Sequence, residues 1–245
     1  LNVIRKLFWK TISNKIKFIT CPTLDLKKNI EKQEIFKQEN LYHLPDAILR
    51  IENFKASKDL PNGLSLADNK RIILSAGRLT RQKNFSYLIE EFSEFLKFNN
   101  EFVLMILGEG EEKKKLIHLI NKKKLKDKIF LLGFKKDIFD YMKNSEIFIL
   151  SSLWEEVGFV IVEAAMCNAY IISSNCPNGP KEFLNNGKNG LLFKNNLNKS
   201  LFKTLKDYCK LDKNKIFNDK VFLKKNAGKY TMFRHYLVLN GLLNT

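Results

Sequence analysis

Two glutamates, Glu155 and Glu163, stand eight positions apart in the stretch 154–165, with Gly158 between them. The apolar run Ile147 to Leu150 reads as a strand, and Phe159 to about Cys167 reads as the helix that follows. Glu155 then falls in the connecting loop and Glu163 inside the helix. Because Gly158 opens that helix, the amides of Phe159 and Val160 are among its first N–H groups, which have no intrahelical acceptor. With the helix dipole they form a site for an anion. A carboxylate one or two turns into the helix can accept both hydroxyls of a ribose diol. A carboxylate ahead of the helix can reach a sugar beyond the phosphates. The spacing alone fits a surface pair of glutamates equally well.

Two further loops carry candidate chemistry. Residues 77–84 follow the apolar run Arg71 to Ser75 and contain Gly77, Arg78 and Lys83. Gly77 permits a tight turn, Arg78 offers a planar fork matched to phosphate oxygens, and Lys83 adds a point charge. On its own this reads as a solvated basic loop rather than a phosphate site. The Gly108-Glu109-Gly110 turn follows the run Phe102 to Leu107. It lacks the third glycine of a dinucleotide fingerprint, whose place Lys113 takes, and reads as a tight strand-to-helix turn.

These loops need a scaffold, and the sequence supplies an alternating one. Strands are expected at Arg71 to Ser75, Phe102 to Leu107, Ile129 to Leu132, Ile147 to Leu150, Tyr170 to Ser173 and Gly190 to Phe193. Helices are expected at Tyr87 to Phe98, Glu111 to Lys123, Asp137 to Lys143 and from Phe159. The first of these places Leu88, Ile89, Phe92 and Phe95 on one face. Alternation of this kind gives an α/β fold with a Rossmann-like, doubly wound parallel sheet. In such sheets ligands bind beyond the carboxyl ends of the strands, where all three loops fall.

The N-terminal stretch is different. Val3 to Ile16 has Ile4, Leu7, Phe8 and Ile12 at helical spacing, with Arg5, Lys6, Lys10 and Lys15 largely off that stripe. This is a basic amphipathic helix, expected to pack on a domain core, with an anionic membrane surface as the alternative. Short strands follow at Lys17 to Cys21 and Tyr42 to Leu44, around a helix capped by Thr23 and running to about Phe36. Residues 56–69 are polar, and Pro61-Asn62-Gly63 marks a turn and a domain boundary.

Composition narrows the class. The chain has 245 residues, 44% hydrophobic and 28% charged. That balance suits a folded protein with a sizeable core. No segment has the length and apolarity of a membrane span, and no signal peptide is recognisable, so a cytoplasmic location is the default expectation. The first residue is Leu1, which fits a start inside a longer reading frame or after processing. Cys21, Cys167, Cys176 and Cys209 form no CxxC pair and read as reduced thiols rather than a zinc or disulfide framework. The net charge of +17 favours anionic partners. It is also what a Lys-rich solvated surface gives in an AT-rich genome. Aromatic and basic residues are not interleaved in any nucleic-acid-binding motif, so nucleic acid is not an expected partner.

Taken in order, the three loops resemble the C-terminal domain of the retaining GT-B glycosyltransferases of family 4 (group 1). Glu155 and Glu163 match that family's pair of glutamates separated by seven residues. Gly77, Arg78, Leu79 and Lys83 match its Gly-Arg-Leu segment and later lysine. Gly133-Phe134, Gly179-Pro180-Lys181-Glu182 and the stretch 187–193 fit as well. Residues 175–182 are similar to members that build bacterial surface polysaccharides and lipid-linked glycans. The last helix, around Tyr230 to Leu242, looks like the terminal helix that crosses back to the first domain. The likeness extends over roughly residues 15–240.

The resemblance implies residues 1–58 as a remnant of an N-terminal acceptor domain, 59–228 as the nucleotide-sugar-binding Rossmann-like domain, and 229–245 as the crossing helix. It implies transfer, with retention, of a hexosyl or N-acetylhexosaminyl group from a nucleotide-sugar, UDP-linked, to a lipid-linked or surface-glycan acceptor at the inner face of the membrane. The implied catalytic residues are Arg78 and Lys83 on the departing diphosphate and Glu155 at the donor sugar. Gly77, Phe134, Gly158, Phe159, Val160 and Glu163 are the implied donor-binding residues, with Phe134 near the base and Glu163 on the ribose. No metal and no other cofactor is expected. Two departures stand out. Glu156 occupies a position that is usually glycine in the family, and the family's N-terminal Rossmann domain has almost no counterpart. The alternative is therefore a non-catalytic or truncated nucleotide-sugar-binding module.

Overall fold

A computed structural model describes residues 3–54 and 70–244. The expected Pro61-Asn62-Gly63 turn and the boundary between residues 58 and 59 lie outside the described residues. The chain forms two compact units, Leu1–Arg50 with Gly228–Thr245, and Ile51–Ala227.

In the smaller unit, helix α1 (Val3–Ile12) is followed by strand β1 (Ile19–Cys21), helix α2 (Leu24–Glu31) and strand β2 (Leu41–His43). The Thr23 hydroxyl caps α2 by accepting the Leu26 amide at 3.1 Å, as its sequence position suggests. The helix stops at Glu31, short of the expected Phe36, and Glu34 turns into the left-handed region (φ 51°). β1 and β2 pair in parallel as a two-stranded sheet. The C-terminal helix Met232–Leu243 belongs to this unit. It is anchored by a parallel bridge between Leu49 and Thr231 and by a 2.8 Å bond between His235 Nδ1 and the Pro45 carbonyl. Helix α1 corrects one expectation: none of its residues is buried, so among the described residues it does not pack on a core. Phe8 and Trp9 meet edge to face, and Trp9 meets Phe36 at 5.8 Å between ring centroids.

The larger unit alternates strands and helices: β3 (Arg71–Ala76), α3 (Phe85–Phe98), β4 (Phe102–Leu107), α4 (Lys113–Lys123), β5 (Ile129–Gly133), α5 (Ile138–Lys143) and β6 (Ile147–Leu150). Then come α6 (Phe159–Met166), β7 (Tyr170–Ser174), α7 (Gly179–Phe183), β8 (Leu191–Phe193), α8 (Ser200–Lys210) and α9 (Lys213–Ala227). The six strands β3 to β8 form one parallel sheet in the order β5-β4-β3-β6-β7-β8. Strands covered on both faces read as continuous apolar runs, and every residue of β4 and β6 is buried. Leu88, Ile89, Phe92 and Phe95 of α3 are fully enclosed, as their spacing requires.

Helices α7, α8 and α9 were not anticipated. α8 has an apolar stripe, Leu201, Leu205 and Tyr208, but no capping side chain of its own. The cap comes from α3: the Glu91 carboxylate accepts the amides of Lys199 and Phe202 at 2.9 and 3.0 Å. α9 is tied to β7 through buried Asp219, which accepts the Tyr170 hydroxyl at 3.0 Å and is paired with Lys215 at 2.6 Å. At the amino-terminal edge of the sheet the Arg71 guanidinium binds Glu146, which also accepts the Tyr208 hydroxyl at 2.7 Å. The four cysteines are free thiols, three of them buried.

The chain winds outward in one direction from β3 and in the other from β6. These two strands are neighbours, so the winding direction reverses between them and their diverging loops leave a crevice at the carboxyl ends. Two short strands bury little, whereas the six-stranded sheet has both faces covered. Hydrogen exchange is therefore expected to be fast in Ile19–Cys21 and Leu41–His43 and slow in β3 and β4. Equal protection in the two units would show that the N-terminal segment is as firmly integrated as the sheet.

Candidate functional site

The crevice is a cleft of about 680 Å³ at the ends of β3 and β6. One wall is the loop after β3, with Gly77, Arg78, Gln82 and Lys83. The other is the loop after β6 and the first turn of α6, with Trp154, Glu155, Glu156, Gly158, Phe159, Val160 and Glu163. Eight of the nine residues singled out from the sequence are thus brought together. Phe134 is the exception. It is 71% exposed and lines an adjoining, more apolar hollow of about 410 Å³ with Gly108, Glu109 and Lys135. The two hollows share Ala76, Gly77, Arg78 and Ile138.

The loop after β3 lies tightly against the turn after β4. A Cβ at Gly108 would sit 1.9 Å from the Gly77 carbonyl oxygen, so only glycine permits this approach. The same loop is stitched to the loop after β6. The Leu153 amide donates to the Gln82 carbonyl at 2.8 Å, and the Gln82 side chain donates to the Trp154 carbonyl at 2.9 Å. The Ser151 hydroxyl donates to the Lys83 carbonyl at 2.7 Å.

At the centre Lys83 Nζ meets Glu155 Oε1 at 2.5 Å, with only 16% and 9% of the two side chains exposed. The Ser152 hydroxyl donates to the same oxygen at 2.6 Å. Oε2 of Glu155 has no partner among the described residues, which leaves one oxygen of a fixed carboxylate available. Arg78 is exposed and likewise has no ion-pair partner among them, so its fork is free for an anion. Gly158 caps α6 in a left-handed conformation (φ 74°, ψ 51°). The amides of Phe159 and Val160 have no acceptor among the described residues and stand at the positive end of the helix.

Glu163 lies one turn further along α6, half-buried and without a hydrogen-bond or ion-pair partner among the described residues. Burial raises its pKa to about 7. A carboxylate held this way gains from any ligand that brings hydroxyl donors to it.

The cleft therefore offers cations and amides for a polyanion, a carboxylate for a diol, and a second, fixed carboxylate beyond them. Sequence reasoning missed Gln82, Ser152, Ile138, Trp154 and Asn178. Ser152 is visible only as a serine three positions before Glu155. Asn178 comes from the loop after β7, which the spacing of charged residues does not mark.

Comparison with known proteins gives a consistent picture. The model of the family described as "Glycosyl transferases group 1" matches residues 57–226. An uncharacterized glycosyltransferase of Methanocaldococcus jannaschii is 36% identical over 145 residues, which are 59% of this chain and 35% of that protein. A Campylobacter jejuni enzyme is 32% identical over 209 residues, 80% of this chain and 54% of that protein. It is named N-acetylgalactosamine-N,N'-diacetylbacillosaminyl-diphospho-undecaprenol 4-alpha-N-acetylgalactosaminyltransferase. The chain thus spans between about a third and about half of these relatives' length. The solved structure of Anabaena HepE with UDP and glucose shares the fold, with a TM-score of 0.77 at 18% identity over 98% of this chain and 68% of that one.

The isolation of Glu163 has a consequence for stability. Its pKa in the folded chain, about 7, exceeds its ordinary value of 4.5. Its effect on stability is therefore most favourable below pH 4.5 and is lost as pH rises to 7. Glu163→Gln cannot ionise, so its melting temperature is expected to match wild type at pH 4.5 and to exceed it at pH 8. Allowing for solvent screening, the difference is about 1–3 kcal/mol. A difference that does not change with pH would place Glu163 in water.

Proposed function

The chain belongs to the group 1 glycosyl transferases, and from that premise we propose that it holds the nucleotide-sugar donor, UDP-linked, for transfer with retention to a lipid-linked or surface-polysaccharide acceptor. The observation that carries this reading is the convergence of Arg78, Lys83, the first amides of α6 and Glu163 in one cleft at the reversal of the sheet. A diphosphate placed there meets the Phe159 and Val160 amides and the Arg78 guanidinium. Glu163, one turn along, takes the two ribose hydroxyls. The base extends into the adjoining hollow past Gly77 toward Phe134. The sugar then lies on the Glu155 side.

Bond breaking at the sugar's anomeric carbon leaves negative charge on the diphosphate. Arg78 and Lys83 stabilise that charge as it grows, in a cleft where fixed donors act more strongly than in water. Lys83 has three donors, and its bond to Glu155 uses one of them. In this mechanism basic side chains and amides serve the leaving group without a metal. The lipid-linked acceptor class is supported by the name of the Campylobacter jejuni relative, which includes an undecaprenol diphosphate, and a cytoplasmic, peripherally associated place at the inner face of the membrane is compatible with such an acceptor. The UDP-linked donor is supported by the UDP and glucose bound to HepE. No helix among the described residues is long and apolar enough to cross a membrane.

Calorimetric titration tests the site. Arg78→Ala and Lys83→Ala are each expected to weaken UDP binding by about 1–3 kcal/mol while changing uridine binding little. Arg78→Ala should leave the melting temperature unchanged, because the side chain is exposed and unpaired. Lys83→Ala should lower it, because Glu155 would be left as an uncompensated, largely buried charge. Equal losses for UDP and uridine would remove both residues from the diphosphate site. UDP affinity is expected to be the same with and without EDTA, and a drop on chelation would show that a metal takes part.

A further inference from the structure

The backbone of Asn178 adopts φ 72° and ψ −132°. That conformation is close to the first central position of a type II′ turn, where glycine is favoured and asparagine is one of the few other residues found, at a cost in strain. Asn84, Lys124, Asn186 and Lys199 also have positive φ, but they sit in the ordinary left-handed well, with ψ between 13° and 41°. Asn178 is therefore held in place by its surroundings, and those surroundings are the cleft it helps to line.

Its side chain does something glycine cannot. The Asn178 amide donates to the main-chain carbonyl of Glu155 at 3.1 Å. The next residue, Gly179, donates its own N–H to the Glu156 carbonyl at 2.8 Å. A Cβ at Gly179 would lie 2.3 Å from the Val157 carbonyl oxygen, so the two loops are in direct backbone contact here. Two consecutive bonds thus fix the peptide that carries Glu155. Its carboxylate is fixed from the other side, where Lys83 and Ser152 share Oε1.

Resting on the donor-site reading above, we propose that Asn178 is a positioning residue for Glu155. Its side-chain amide holds the Glu155 main chain so that the unpartnered Oε2 faces the donor sugar, and the strained backbone persists because it delivers that amide. The role separates stability from sugar recognition. Asn178→Gly relieves the backbone and removes the amide. Asn178→Asp keeps the shape but turns an acceptor toward an acceptor.

The test is calorimetric titration of the full chain with UDP, UDP-glucose and UDP-N-acetylglucosamine, together with thermal melting. Wild type is expected to bind at least one UDP-sugar more tightly than UDP. In both variants that preference should fall by about 3–10-fold, the loss expected for one hydrogen bond. UDP affinity should stay within about twofold, and the melting temperature of Asn178→Gly should be no lower than wild type. An unchanged preference in the variants would overturn the positioning role alone. So would equal losses for UDP and UDP-sugars accompanied by a lower melting temperature, which mark a purely structural residue. A wild-type chain with no preference for any UDP-sugar would overturn it too. A wild-type chain that binds none of the three ligands would overturn the donor-site reading and this role together.

Discussion

Lys83 and Glu155 lie 72 residues apart in sequence, on the loops after two adjacent strands, and their 2.5 Å contact spans the crevice where the sheet reverses its winding. The cleft is organised about that contact. A largely buried ion pair gains net stability only when its geometry is good and its remaining atoms are satisfied. Here Ser152 supplies one further bond to Glu155, and the loops on both sides are joined by the Leu153 amide on the Gln82 carbonyl and by the side chains of Gln82 and Ser151 on the Trp154 and Lys83 carbonyls. The pair also sets a charge pattern. Lys83 offsets the charge of Glu155, while Arg78 has no ion-pair partner among the described residues.

The fold places these parts on a regular parallel sheet. Parallel strands buried on both faces fix register through continuous apolar runs. The polar networks that lock the unit, Arg71 with Glu146 and Tyr208, and Asp219 with Tyr170 and Lys215, lie away from the cleft. Glu91 reaches from α3 to cap α8, so a charged residue near the core is satisfied by two amides. Polar satisfaction is nearly complete in these networks, which makes the unsatisfied groups around the cleft stand out.

Much of this was legible in the sequence, for identifiable reasons. Phe102–Leu107 and Ile147–Leu150 were read with their observed bounds, because central strands of a parallel sheet are short apolar runs between turn residues. Arg78, Lys83, Glu155 and Glu163 were singled out because they lie in or just beyond loops that follow such strands and match the motifs of the family that the chain resembles. Helix α8 escaped notice because its cap, Glu91, is more than a hundred residues away and leaves no local signature. Helix α2 ended early because Glu34 takes a left-handed conformation that a glutamate does not advertise. Ser152 and Asn178 were missed because their roles depend on one hydrogen bond each to a residue in the same cleft. Nothing in their type or spacing encodes such a partner.

Several departures from local rules meet in the cleft of the larger unit. Among the described residues Glu163 is half-buried with no partner, Arg78 has no ion-pair partner, the amides of Phe159 and Val160 have no acceptor, and Asn178 stands in a conformation that favours glycine. The desolvated carboxylate of Glu163 and the backbone of Asn178 cost the unliganded chain free energy that a substitution could recover. A sequence selected for stability alone would pair the carboxylate, cap the helix with a side chain and put glycine at position 178. Such clustering is the physical mark of a site whose missing interactions are completed by a ligand. On the donor-site reading proposed above, the ligand brings hydroxyl donors to Glu163 and negative charge to Arg78 and the α6 amides. A ribose linked to phosphate, the donor moiety proposed above, carries both kinds of group, whereas a bare inorganic anion lacks the hydroxyls and a neutral sugar lacks the charge.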